Sequence, residues 1–318
     1  MNEHEKANFR GAQNIFGKLS GKNIIIPNVN DPPMAVMAPP GVIHNGAPVN
    51  GFESINTSCG IPGLQSFQRQ FGLLIPATNT IMEPDLWRII VTNQGPGGLE
   101  GAGLHTSTVL TPKPDVGTAE GLETFKRQFL GGIESATKSA LLANPEYLIM
   151  GLSLEHILTG LAPIRESMAE IEQYCMLSWA TWHEAVKAAL DCYGAKRIGI
   201  LTPWDQRANA SAIRMFDELG FEVVSSIGFS CASVLNYPLI PDWAKEKAIL
   251  ELLATRENKL DAVVQCGTNM SLIDVSEKLE PVVGIPILGI NAVIFWYALR
   301  ENGFEGALVG AGRLLREF

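Results

Sequence analysis

From Phe71 onward, short apolar runs recur with a regularity that the first 65 residues lack. FGLLIP (71–76), YLIMG (147–151), RIGILTP (197–203), DAVVQC (261–266) and PILGI (286–290) have the length of strands. The stretches 119–143, 181–193, 207–219, 243–256 and 291–301 are amphipathic and have the length of helices. In the helix predicted over 207–219, Ala208, Ile213, Met215, Phe216 and Leu219 share one side, and Gly220 stops it. Short, continuously apolar strands separated by helices predict parallel sheets covered on both faces. YLIMGLS and VVQCGTNMS share a pattern, an apolar strand followed by a small residue or thiol and a Ser- or Thr-bearing turn, which reads as an internal duplication. The expected fold is therefore α/β, with two pseudo-symmetric domains facing across one cleft. Each is a parallel, mostly four-stranded sheet flanked by helices, with the active site in the cleft. Residues 66–180 plus 291–318 form the first domain and 181–290 the second.

Residues 1–65 fit neither period. NVNDPPMAVMAPPG and HNGAPVNGFESINTSCGIPG are rich in Pro, Gly and Asn, yet carry more Ile, Val, Met and Phe than a disordered tail would. They are expected to form an extended N-terminal arm, lying on the body of the protein or on a neighbouring subunit of a homo-oligomer. Composition narrows the partners. With 24 Lys and Arg against 33 Asp and Glu, a net charge of -9 and no basic block, nucleic acid is not expected. The start, MNEHEKANFR, has no apolar core of a signal peptide, and no run approaches the roughly 18 apolar residues of a membrane span. The five cysteines are scattered, with no CxxC pair and no neighbouring His, so neither a disulfide framework nor a metal site is expected. These features together imply a cytoplasmic protein.

In open α/β sheets ligands bind beyond the carboxyl ends of strands. Four such segments are small and polar: PATNTIMEP (76–84) with Pro76, Thr78 and Asn79; GLSLEH (151–156) with Gly151, Leu152, Ser153, Glu155 and His156; TPWDQRAN (202–209) with Trp204 and Asn209; and CGTNMS (266–271) with Cys266, Gly267 and Thr268. Cys266 ends a buried strand and begins a turn toward a helix, a setting in which the helix dipole lowers a thiol pKa; the alternative is a small buried packing residue. Cys175 and Cys192 read as packing residues, Cys231 lacks that setting, and Cys59 lies in the arm. Glu155 and His156 could act as acid or base, or face solvent at a helix start. His105 reads as a hydrogen-bonded structural residue or a strand-end ligand. The Gly-rich NQGPGGLEGAGLH (93–105) reads as a mobile loop, since it lacks GxGxxG, and no GxxxxGK[ST] occurs. No nucleotide cofactor, and no cofactor of any kind, is expected.

Those motifs carry a resemblance. GLLIPATNTIMEPDL resembles the N-terminal signature of maleate cis-trans isomerases, in which an Asn matching Asn79 meets the substrate carboxylate. MGLSL and QCGTNM resemble the corresponding pair in arylmalonate decarboxylase, within the aspartate/glutamate racemase superfamily. The resemblance spans about residues 68 to 303. Racemases and isomerases of this superfamily carry a cysteine on both sides of the cleft; here Cys266 holds one side and Gly151 the other, the decarboxylase arrangement. One thiol can protonate one face of a carbanion, and glycine opposite it offers only space and an N–H.

The resemblance implies cofactor-independent decarboxylation of a small malonate-type dicarboxylate. One carboxylate would be held by Ser153, Gly267, Thr268 and nearby N–H groups, with Thr78 and Asn79, and Cys266 would protonate the α-carbon. Leu152 and Trp204 stand where the decarboxylase has a hydroxylated residue and an aromatic hydroxyl. Two rivals follow: a cis-trans isomerase or racemase pairing Cys266 with His156 or Glu155, and a non-catalytic carboxylate-binding protein.

Overall fold

The computed structural model describes residues 42–44, 47–49, 69–95, 97–110, 118–154 and 160–318. Of the arm, only β1 (Val42–His44) and β2 (Ala47–Val49) fall within this range, as an antiparallel pair.

The first sheet is built from β3 (Arg69–Pro76), β4 (Ala102–Val109), β5 (Tyr147–Met150) and β6 (Trp179–Ala180), in the order β4-β3-β5-β6. The second is built from β7 (Arg197–Thr202), β8 (Glu222–Gly228), β9 (Ala262–Gln265) and β10 (Ile287–Gly289), in the order β8-β7-β9-β10. All pairings within these two sheets are parallel. Numbered within its own half, each sheet runs 2-1-3-4, so the duplication expected from the two strand-turn motifs is present in the topology. The strands are apolar because helices bury both faces. These helices are α1 (Met82–Thr92), α2 (Ala119–Leu141), α3 (Leu161–Cys175), α4 (Trp182–Cys192), α5 (Gln206–Leu219), α6 (Asp242–Ala248), α7 (Ile273–Val283), α8 (Ile290–Glu301) and the short α9 (Arg313–Glu317). Helix α8 packs on α4 and against β5 and β6. Its Phe295 meets Phe71 of β3 edge-to-face at 6.0 Å, so the end of the chain completes the core around the first sheet.

Register fixes which residues correspond. Leu74 pairs with Met150 in the first half and Leu201 with Gln265 in the second. The next residues, Gly151 and Cys266, donate their N–H groups to Leu74 O at 2.7 Å and Leu201 O at 2.9 Å. They are the same position in two copies of one motif.

Two expectations need correction. The Gly-rich stretch 93–105 is not a loop throughout, because residues 102–105 begin β4, and His105 lies mid-strand opposite Gly72 rather than at a strand end. Its Ser/Thr-rich sequence suits an edge strand, which bonds on one side only and need not be apolar.

Candidate functional site

The carboxyl ends of β3, β5, β7 and β9 converge, and the segments following them are tied together by side chains. Asn79, just past β3, uses its Oδ1 to accept from the N–H groups of Ile81 and Met82 at 3.0 Å, closing the turn into α1. Its Nδ2 donates to Thr268 Oγ1 at 3.0 Å, and that hydroxyl donates to Gly151 O at 2.9 Å. Three of the residues expected at the site, from three different strand ends and both halves, thus form one chain of hydrogen bonds. Asn269 adds a second tie: its Oδ1 accepts from Thr80 N at 2.9 Å and its Nδ2 donates to Thr78 O at 3.2 Å.

Cys266 lies fully buried at the end of β9, followed by a tight turn. Gly267 takes φ +95°, and a Cβ there would lie 2.9 Å from the Pro203 ring, so the turn requires glycine on both conformational and steric grounds. Trp204 is buried beside it, with its indole 3.7 Å from that Cβ position. The helix that follows, α7, begins only at Ile273, seven residues beyond Cys266, and not directly after the Gly-Thr-Asn turn as expected. Gln265 stiffens the turn, its amide donating to the carbonyls of Cys266 and Gly267 at 2.8 Å.

Gly151 also differs from expectation. It does not leave space opposite Cys266: a Cβ there would fall 2.6 Å from Ile75 Cγ2, 2.6 Å from Met82 Sδ and 2.7 Å from the carbonyl oxygen of Leu74. The position is filled, and one of the blocking atoms is backbone. Ser153 follows, buried, and its Oγ has no hydrogen-bond partner among the described residues. A buried hydroxyl left without a partner is costly in a resting protein and natural in one that awaits a ligand. Leu152 and Leu154, on either side of it, line an apolar pocket with Met150, Met168, Trp182 and Met215. His183 also lines the pocket, and burial lowers its pKa, keeping the imidazole neutral at pH 7.

Comparison with known proteins places this arrangement. The family model described as arylmalonate decarboxylase matches residues 138–315, more than half the chain and including both strand-turn motifs. The chain belongs to the arylmalonate decarboxylase family. No curated protein sequence matches it significantly. Among solved structures, a maleate cis-trans isomerase of Nocardia farcinica, a mutant carrying a covalently bound succinylcysteine intermediate, superposes with a TM-score of 0.67 at 19% identity, covering 79% of this chain and 99% of its own. The maleate isomerase Iso of Pseudomonas putida S16 gives 0.67 at 17%, covering 78% and 98%. An arylmalonate decarboxylase gives 0.59 at 14%, covering 78% and 100%. At these identities the likeness is one of fold, and the structures similar to this chain include both maleate isomerases and an arylmalonate decarboxylase.

Against that family frame, Pro76, Thr78, Asn79, Gly151, Leu152, Ser153, Trp204, Gly267 and Thr268 all lie at or near the strand ends that converge. Asn209, from α5, reaches the same β7 end, where its Oδ1 accepts from the Thr202 hydroxyl. Glu155, His156, Cys59 and most of the arm lie outside the described residues. Burial raises the pKa of Cys175, which suits the packing residue expected there, and also that of the partly exposed Cys231. Sequence reasoning missed Asp85, Asn269, Ser271 and Asn291. Asn291 was findable, since it stands directly after the apolar run 286–290, where the strand-end rule applies. Among the described residues no group of acidic, His and Cys side chains is arranged to hold a metal, and no helix is long and apolar enough to cross a membrane.

Proposed function

We propose that the protein is a cofactor-independent carboxy-lyase acting on a small malonate-type dicarboxylate, with Cys266 as its proton donor. The observation that carries this reading is the filled position at Gly151. The two halves present equivalent strand ends, and only one has room for a thiol. A reaction needing acid and base on both faces of the substrate finds no second cysteine site there. A reaction needing one proton delivered to one face finds all it requires.

In this reading one carboxylate of the substrate meets the Ser153 hydroxyl, which has no partner among the described residues, and the N–H groups of Gly267 and Thr268. The other, directed toward the apolar surface beside Leu152, is destabilised by loss of water. Its Cα–C bond breaks, CO2 leaves neutral, and the electron pair passes into an enediolate held by the same donors, each worth about 3–4 kcal/mol in such a role. The Cys266 thiol protonates the α-carbon, and the resulting thiolate regains its proton from solvent.

The test is a panel of aryl- and alkyl-substituted malonates, with maleate beside them, followed by NMR and CO2 release. CO2 from a malonate, abolished by Cys266→Ala in a folded protein, is the expected result. In deuterated water the product should carry label in one configuration. Fumarate from maleate without CO2, or turnover that survives Cys266→Ala, overturns the reading.

A further inference from the structure

The turn that carries Cys266 is held largely by the other half of the molecule. Thr268 is tied to Asn79 and Gly151, and Asn269 to Thr78 and Thr80, through neutral groups. The third tie is different in kind. Ser271 Oγ donates to Asp85 Oδ1 at 2.9 Å, and Asp85 is a buried carboxylate in the first turn of α1. Its second oxygen accepts from Asn291 Nδ2 at 2.9 Å, and the same nitrogen donates to Thr268 O at 3.0 Å. One carboxylate therefore grips the turn twice: directly at Ser271, and through Asn291 at Thr268, two residues from the thiol.

We propose that Asp85 is a positioning residue, whose ionised carboxylate fixes the Cys266–Ser271 turn against the strand ends of the first half. This rests on the reading of Cys266 as the proton donor. Only the ionised form accepts at both oxygens without offering a proton of its own. Protonated, Asp85 keeps the Asn291 bond at one oxygen and donates from the other to Ser271 Oγ, so that two charge-assisted bonds become two neutral ones, each about half as strong. The charged groups facing Asp85 are Lys245 from α6, which donates to Ser271 O at 2.7 Å and pairs with Asp242, and Arg88 from α1, which pairs with Asp274 of α7. Both cations favour the ionised form, as do the Asn291 and Ser271 hydrogen bonds, yet burial outweighs them and pushes the carboxyl up to about 6.

Activity and stability then respond to acid in opposite directions. Below about pH 6 the grip on the turn weakens and kcat falls. A carboxyl whose folded value is raised contributes stability that is present at low pH and lost as pH rises through that value, so protonating Asp85 does not unfold the protein. A merely structural role would move both the same way.

The experiment measures kcat between pH 5 and 8, with thermal melts alongside, on whichever substituted malonate is turned over. The wild type should lose activity below about pH 6 without a matching loss of melting temperature. Ser271→Ala removes a bond that favours the ionised form, so its acid limb should move to higher pH; titration of the substrate is common to both enzymes and cannot cause that shift. Asp85→Asn should lower kcat roughly ten- to a hundredfold, the usual cost of a misplaced reacting group, with KM changed far less and the acid limb gone. Asp274→Asn, which breaks the surface ion pair between α1 and α7 without touching the turn, should keep the wild-type profile. Superimposable profiles for wild type and Ser271→Ala, or wild-type kcat in Asp85→Asn, overturn the proposal, and the first comparison suffices should Asp85→Asn not fold. An inactive Cys266→Ala beside those negative results removes only the positioning role. A fully active Cys266→Ala removes the thiol reading itself.

Discussion

At the scale of single residues, the difference between Gly151 and Cys266 is one of available volume before it is one of chemistry. Gly151→Ala inserts a methyl among Ile75, Met82 and the Leu74 carbonyl at distances of 2.6 to 2.7 Å. The side chains can turn aside, but the carbonyl belongs to β3 and accepts the Gly151 N–H. The variant should lose about 1–3 kcal/mol, typical of overpacking, read as a lower denaturation midpoint. An unchanged midpoint would mean that the position has slack, and would remove the steric argument against a second thiol. The sequence made both positions visible, because a small residue or thiol ending an apolar strand is a local pattern. It could not show that Gly151 is crowded, since the atoms filling its Cβ site come from Leu74, Ile75 and Met82, some 70 to 80 residues earlier. Asp85 was hidden for a similar reason: nothing near it in NTIMEPDL says that its partners will be Ser271 and Asn291.

Among the elements, the strands legible in advance were those whose sequence is continuously apolar. The central strands β3, β5, β7 and β9 are so along most of their length, as is the buried edge strand β10, whereas the other edge strands, β4, β6 and β8, carry polar residues or are only two residues long. Helix α5 was the clearest helix, and its two ends explain why. Asp205 accepts from Ala208 N at 3.0 Å as its N-cap, and Gly220 closes it in the left-handed conformation. Asp205→Ala should cost about 1 kcal/mol, the common value for a lost N-cap, and a chemical denaturation series would show it. No measurable change would mean that neighbouring contacts, not the cap, set where α5 begins.

For the whole molecule, the buried acidic groups set how stability depends on pH. Glu301, at the end of α8, is raised to about 7, first by burial and then by the nearby Glu184. A carboxyl raised on folding stabilises the protein fully below its unfolded value and ceases to do so as pH rises through its folded one, here between about 4.5 and 7. The wild-type melting temperature should therefore decline across that window. Glu301→Gln should flatten the decline, with the two proteins diverging most at pH 8. Parallel curves would show that the side chain finds water or a cation when ionised.

The seat of α8 has a consequence for the order in which the chain can acquire structure. Phe71 finds Phe295 at 6.0 Å and Phe304 at 6.3 Å only after more than 220 further residues have been made, and α4 likewise finds α8 late. While the chain is being synthesised, the first sheet must wait with one apolar face uncovered as the second half assembles ahead of it. The part made first is finished last, and the closing of that core by α8 is also the step that brings Asn291, the first turn of the same helix, to Asp85.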